Sequence, residues 1–156
     1  MKAHQRESSQ ADELVNNNEN ELWLAIETDN STKIKDWIRK NSTLVSKGVL
    51  SQIFFKNKSP LYQIPLFVTI IKHKLNAFKM LIEEGNINLL TEDAFSHTVL
   101  DAMCSSEWSE GLDYLITHQN SIIIEIQKVH QGRNLFVLHS LACNMSNNFT
   151  NNQLKL

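Results

Sequence analysis

Between residues 22 and 119, apolar positions recur in three gap-free segments of 20 residues: LWLAIETDNSTKIKDWIRKN from Leu22, LFVTIIKHKLNAFKMLIEEG from Leu66 and LDAMCSSEWSEGLDYLITHQ from Leu100. Three and four positions after each opening Leu come Ala25-Ile26, Thr69-Ile70 and Met103-Cys104. That spacing places them on one face of a short helix. The second half of each segment repeats the logic. At 12 positions stand Ile34, Phe78 and Leu112, and at 15 and 16 stand Trp37-Ile38, Leu81-Ile82 and Leu115-Ile116. Each segment therefore predicts two short helices with apolar faces, antiparallel because so little chain separates them.

Helices shorter than roughly 12–15 residues are marginal in water on their own. Stacking stabilises them: every unit buries its apolar face against its neighbours, and about three units are the minimum for such an array. Met1 to Asn20 and the segment NMSNNFTNNQLKL from 144 to 156 are polar and Asn-rich. They are expected to be disordered tails around a repeat domain spanning 21–143.

Around this skeleton, the chain resembles the ankyrin repeat, a β-turn followed by two helices with a period of about 33 residues. Pro65-Leu66-Phe67-Val68-Thr69 stands where the family reads P-L-H-x-A, and Leu81-Ile82-Glu83-Glu84-Gly85 is similar to its L-L-x-x-G. Asp93 to Leu100 resembles the D-x-x-G-x-T-P-L turn, with Asp93 and Thr98 kept and Ser96 and Val99 standing for Gly and Pro. Gly132-Arg133-Asn134-Leu135-Phe136 marks a fourth start, after which only the Asn-rich tail remains, so the last unit is expected to lack its second helix. The implied fold class is all-α, an ankyrin-like helical repeat solenoid of helix-turn-helix units joined by β-turn or hairpin loops.

The chain departs from the family pattern in two places. The inter-helix Gly of the family is Asp29, His73 and Glu107 here. Asp and His tolerate a left-handed backbone better than Glu, so the third turn is expected to be distorted. Leu22 to Leu66 is 44 residues, against 34 and 36 for the next two steps, which puts an insert within 42–59, where Val49-Leu50 and Ile53-Phe54-Phe55 carry the apolar content for a helical turn. A tetratricopeptide array, with paired helices at about 34 residues, is the structural alternative, but its Trp, Gly and Tyr landmarks are absent.

Composition narrows the function. The 156 residues are 42% apolar, enough for a core, and only 4 Gly and 2 Pro argue against a turn-rich all-β chain. With 15 Lys and Arg against 17 Asp and Glu, the net charge of −2 indicates neither a nucleic-acid nor a membrane partner. Cys104 and Cys143 form no CxxC pair and are expected to be buried thiols. No N-terminal apolar signal region is present, so a cytoplasmic location is expected, delivery into a host cell being the alternative.

Catalytic and metal-binding patterns are absent. No two of the 6 His stand at helical zinc spacing, although His139 and Cys143 make one i, i+4 pair. No GxSxG, GxGxxG or phosphate-cradling loop occurs. Glu83-Glu84 and Glu92-Asp93 are expected at helix ends and turn caps, since adjacent helical residues point apart. Trp37 falls on the apolar stripe and is expected in the core; Trp23 and Trp108 are expected there too, with contact surface as the alternative. The expected protein is not an enzyme and takes no cofactor or metal.

The resemblance implies a protein–protein interaction scaffold. In ankyrin-like stacks the turn tips and the exposed side of the first helices meet partners on a concave face. Carried onto this chain, that surface comprises Leu61, Tyr62 and Gln63 before the second unit, and Ala94, Phe95 and His97 before the third. The helix positions are Ile71, Lys72, Ser105 and Ser106. Tyr62 and Phe95 stand out as tip aromatics without an evident core. The alternative is a regulatory subunit that self-associates or completes its last unit on a partner, including a secreted effector or viral mimic acting in a host cell.

Overall fold

The computed structural model describes residues 18–129 except 52, 54, 56 and 57; the side chains of residues 61, 120 and 127–129 also lie outside the description. All regular structure among these residues is helical. The fourth start at 132–136, Cys143, His139 and the C-terminal tail fall beyond them, as do residues 1–17. No described helix is long and apolar enough to cross a membrane. The chain divides into two compact units, one ending at Asn88 and the other beginning at Leu89.

The first unit opens with α1, described over residues 18–27, so its helix already includes the last three positions of the polar N-terminal stretch. Next comes α2 (Ser31–Lys40), whose start is set by Asn30: its side chain accepts the Lys33 N–H at 3.0 Å. Arg39 and Lys40 close the last turn, where cations favour the helix dipole. A 3-10 turn at Pro60–Tyr62 lies beyond the insert, which itself forms α3 (Ser42–Ser46) and a 3-10 turn at Val49–Ser51. Leu50 and Phe55 of the insert are buried. Leu50 packs where Gly85 has no side chain; a Cβ there would stand 2.9 Å from Leu50 Cδ1. Pro65, free of an N–H that would otherwise be orphaned, begins α4 (Pro65–Ile71), and α5 (Leu75–Glu83) follows. Both α2 and α4 pack against α5. Leu22, Ile26, Ile34, Leu66, Ile70, Phe78 and Leu81 are fully buried.

The second unit contains α6 (Val99–Ser105), α7 (Ser109–His118) and α8 (Asn120–Val129), with α7 packed on both α6 and α8. Thr98 and Asp101 form a capping box at the start of α6: Thr98 Oγ1 accepts the Asp101 N–H at 3.2 Å, and Asp101 Oδ2 accepts the Thr98 N–H at 2.8 Å. The buried stripe of α7 differs by one position from the spacing-based expectation. It runs through Gly111, Tyr114 and Leu115, leaving Leu112 half-buried and Ile116 47% exposed. The cause is the buried Trp108, whose ring occupies the space a Cβ on Gly111 would need.

Asp29, His73 and Glu107, the three inter-helix residues, share one conformation, with φ of 50, 53 and 54°. Their hydrogen bonds match as well. Each N–H reaches a carbonyl three residues back (Ile26, Ile70, Cys104), and the next residue's N–H reaches five back (Ala25, Thr69, Met103), at 2.8–3.2 Å. The distortion expected at Glu107 is therefore not found: the hydrogen bonds of the turn hold even a residue that disfavours the left-handed region. Asp29 does more than tolerate the turn. Its Oδ1 accepts the Ala77 N–H at 2.8 Å and its Oδ2 the Asn76 amide at 3.0 Å, capping the first turn of α5, which has no side-chain cap from its own N-cap residue, Lys74.

Candidate functional site

In the first compact unit, the residues expected at the tip before the second repeat gather around an aromatic cluster on α1. Trp23 packs edge-on against Phe55 (5.1 Å between centroids, 83°) and Tyr62 (6.5 Å, 86°), geometries favoured by the ring quadrupoles. The tip is drawn in by the Phe55 N–H, which donates to the Gln63 carbonyl at 2.8 Å. Tyr62 also completes the 3-10 turn through its N–H to the Ser59 carbonyl. Two ammonium groups meet the rings. Lys58 Nζ lies 4.2 Å from the Trp23 centroid, and Lys72 Nζ lies 5.5 Å from Trp23 and 5.3 Å from Tyr62. Lys72, just past the end of α4, also pairs with Glu27.

Of the five positions expected here, Tyr62 and Lys72 are brought into contact. Gln63 and Ile71 are half-buried, Ile71 as the last residue of α4, and the Leu61 side chain lies outside the description. Trp23, expected in the core with contact surface as the alternative, is half-buried in the cluster, and Glu27 and Lys58 join it although neither is among the expected contact residues. A signal for the first two exists in the sequence: Trp23 and Glu27 are i, i+4 on α1, one step off the buried stripe of Leu22, Ala25 and Ile26.

The tip of the second unit is built from polar contacts. Asp93 Oδ1 accepts the N–H groups of Phe95 and His97 at 2.8 and 2.9 Å, and its Oδ2 faces His97 Nδ1 at 3.1 Å. Backbone bonds from Asp93 N–H to the His97 carbonyl and from Ser96 N–H to the Asp93 carbonyl close the loop, with Ser96 at φ 59°. Phe95 remains 56% exposed at the apex, its ring 6.0 Å from that of His97, and Ala94 is exposed beside it. Ser105 is exposed at the end of α6, whereas Ser106 turns its Oγ back to the Ala102 carbonyl at 2.7 Å.

Other chemistry-bearing side chains among the described residues are buried or paired. Trp37 is buried with its Nε1 donating to the Asn18 carbonyl at 2.7 Å, and Trp108 is buried in the second unit. Glu84 pairs with Lys35 at 2.7 Å, at an exposed helix end. Cys104 is buried on α6; burial pushes its thiol pKa up, and the Asp101 carboxylate adds to that, which keeps the sulfur protonated and weakly nucleophilic. Among the described residues no group of three or more His, Cys, Asp or Glu is placed to hold a metal ion. No family model, curated protein or solved structure gives a significant match to the chain.

Proposed function

We propose that the chain is a non-enzymatic, ankyrin-like repeat module that binds a partner protein through its turn tips and the exposed ends of its first helices. The observation that carries this reading is the triple recurrence of one helix–turn–helix geometry, with Asp29, His73 and Glu107 all in the left-handed region and bonded alike. Three different residues adopting one costly conformation argue that the turn belongs to a repeated unit. Apolar surface at one tip supports the binding role: Phe95 is held out to solvent by hydrogen bonds that fix the loop without covering the ring.

An affinity pulldown tests it, comparing the wild-type chain with a Tyr62→Ala, Phe95→Ala double variant whose helical circular dichroism is unchanged. The expected result is a partner captured by wild type and lost by the variant. Retention of the partner by the folded variant would move the binding face elsewhere.

A second reading, that the array completes itself on a partner or a second copy, draws on Ile116 and Ile124, which are 47% and 46% exposed on α7 and α8. Light scattering over a concentration series separates the versions, since a monomer at every concentration eliminates self-association.

A further inference from the structure

The net charge of −2 conceals a segregation along the chain. From Trp37 to Ile82 there are eight Lys or Arg and no Asp or Glu; from Glu83 to Gln127 there are nine Asp or Glu and no Lys or Arg. The Trp23–Tyr62 cluster takes both of its ammonium groups, Lys58 and Lys72, from the acid-free stretch. Lys72 is answered by Glu27 on α1, and among the described residues no carboxylate pairs with the exposed Lys58. The cluster thus combines half-buried aromatic edges with more positive than negative charge, and its one carboxylate is a side chain that an incoming one is able to replace.

We propose that this cluster docks an acidic segment of a partner protein. Carboxylates of the segment take the Lys58 ammonium and displace Glu27 from Lys72, and an apolar side chain lies against Trp23 and Tyr62. The proposal rests on the protein-binding reading above and gives its partner a chemistry. Charge complementarity selects an acidic occupant. A short segment suits the site better than a nucleic acid, because Lys58 already lies over the Trp23 ring, where a base would stack. Glu27 acts as an internal competitor, so its ion pair with Lys72 holds the site closed until a carboxylate of higher local concentration arrives.

Fluorescence polarisation with the full chain and a short fluorescein-labelled peptide of alternating Glu and Leu tests this. Saturable binding is expected, weakening as salt is raised. Lys58→Glu is expected to weaken it about tenfold or more, the equivalent of one lost charge-assisted contact. Lys47→Glu makes the same charge change at another exposed lysine of the acid-free stretch and is expected to alter affinity by less than about twofold. Glu27→Gln is expected to strengthen binding by freeing Lys72. Circular dichroism establishes that each variant is folded.

Equal losses for Lys47→Glu and Lys58→Glu would overturn the proposal by showing diffuse attraction, as would weaker binding by Glu27→Gln. Preference for a labelled single-stranded RNA, salt-dependent self-association that the peptide does not compete, or no peptide binding at all would overturn it too. If a natural partner is lost from the Tyr62→Ala, Phe95→Ala variant while the peptide never binds, the acidic chemistry is wrong and the protein-binding function stands.

Discussion

The segment leading into α4 and the segment leading into α6 each precede a helical hairpin, yet different forces hold them. Before α4, Tyr62 is ordered by ring packing on Trp23, by Lys72 beneath both rings, and by one backbone bond from Phe55 to Gln63. Before α6, Phe95 is ordered by its neighbours' backbone and by the Asp93 carboxylate, while the residue stays 56% exposed with its ring 6.0 Å from that of His97. The first tip depends on a residue almost 40 positions away in sequence, Trp23 being far from Tyr62. The second is held locally, by bonds that Asp93 makes with Phe95, Ser96 and His97. A tip fixed locally is free to present its aromatic side chain to solvent; a tip fixed by packing has already spent part of its ring area.

The contrast presumes that the two tips stand on equivalent frames, which is the strongest point of attack. Leu81→Ala and Leu115→Ala remove fully buried side chains at matching positions, and each is expected to cost about 2–5 kcal/mol in urea unfolding. A loss below about 0.5 kcal/mol at either would show that its hairpin is not built on that core. Next comes the local tip: Asp93→Ala strips an acceptor from two N–H groups and from His97, for an expected cost of about 1–3 kcal/mol. Finding Asp93→Ala neutral would place the order of Phe95 outside these bonds.

A smaller effect separates two turns of identical backbone. Glu107→Gly is expected to stabilise the chain by up to about 1 kcal/mol, since Gly enters the left-handed region without the Cβ penalty. Asp29→Gly gains the same relief but loses the cap on α5, so it is expected to be destabilising by about 1 kcal/mol. Stabilisation by both would mean that the Asp29 bonds to Asn76 and Ala77 contribute nothing.

The least energetic test concerns Cys104, in a Cys143→Ser background. Its thiol pKa is raised by burial and then by Asp101, so the unfolded thiol ionises first. Stability from the neutral thiol is present in full below the ordinary cysteine value and is lost as pH rises from there through the raised native value. Alkylation at mildly alkaline pH is expected to be slower in the native chain than in denaturant; equal rates would contradict the burial.

Much of this was legible in the residues. The 0, 3, 4, 12, 15 and 16 spacing located both helices of every segment, because burial on one helical face leaves a periodic trace. Tyr62, Lys72, Phe95 and His97 were found as tip and helix-end positions. Other features were not legible. Glu107 reads as a poor turn residue, and only the hydrogen bonds across the turn overrule its preference. The stripe of α7 reads as Leu112, Leu115 and Ile116, and only the Trp108 ring on Gly111 rotates it to Gly111, Tyr114 and Leu115.

The division follows from the range of the forces. Helix positions, caps such as Asn30 and the Thr98–Asp101 box, and the charge segregation between residues 37–82 and 83–127 are set by neighbours in sequence, and the sequence alone determined them. The meeting of Trp23 with Tyr62, Lys58 and Lys72, and the cap that Asp29 lends to α5, join residues tens of positions apart. No local pattern encodes such pairs, because packing of whole helices brings them within reach, and so the tertiary structure alone decided which charged and aromatic groups share a site.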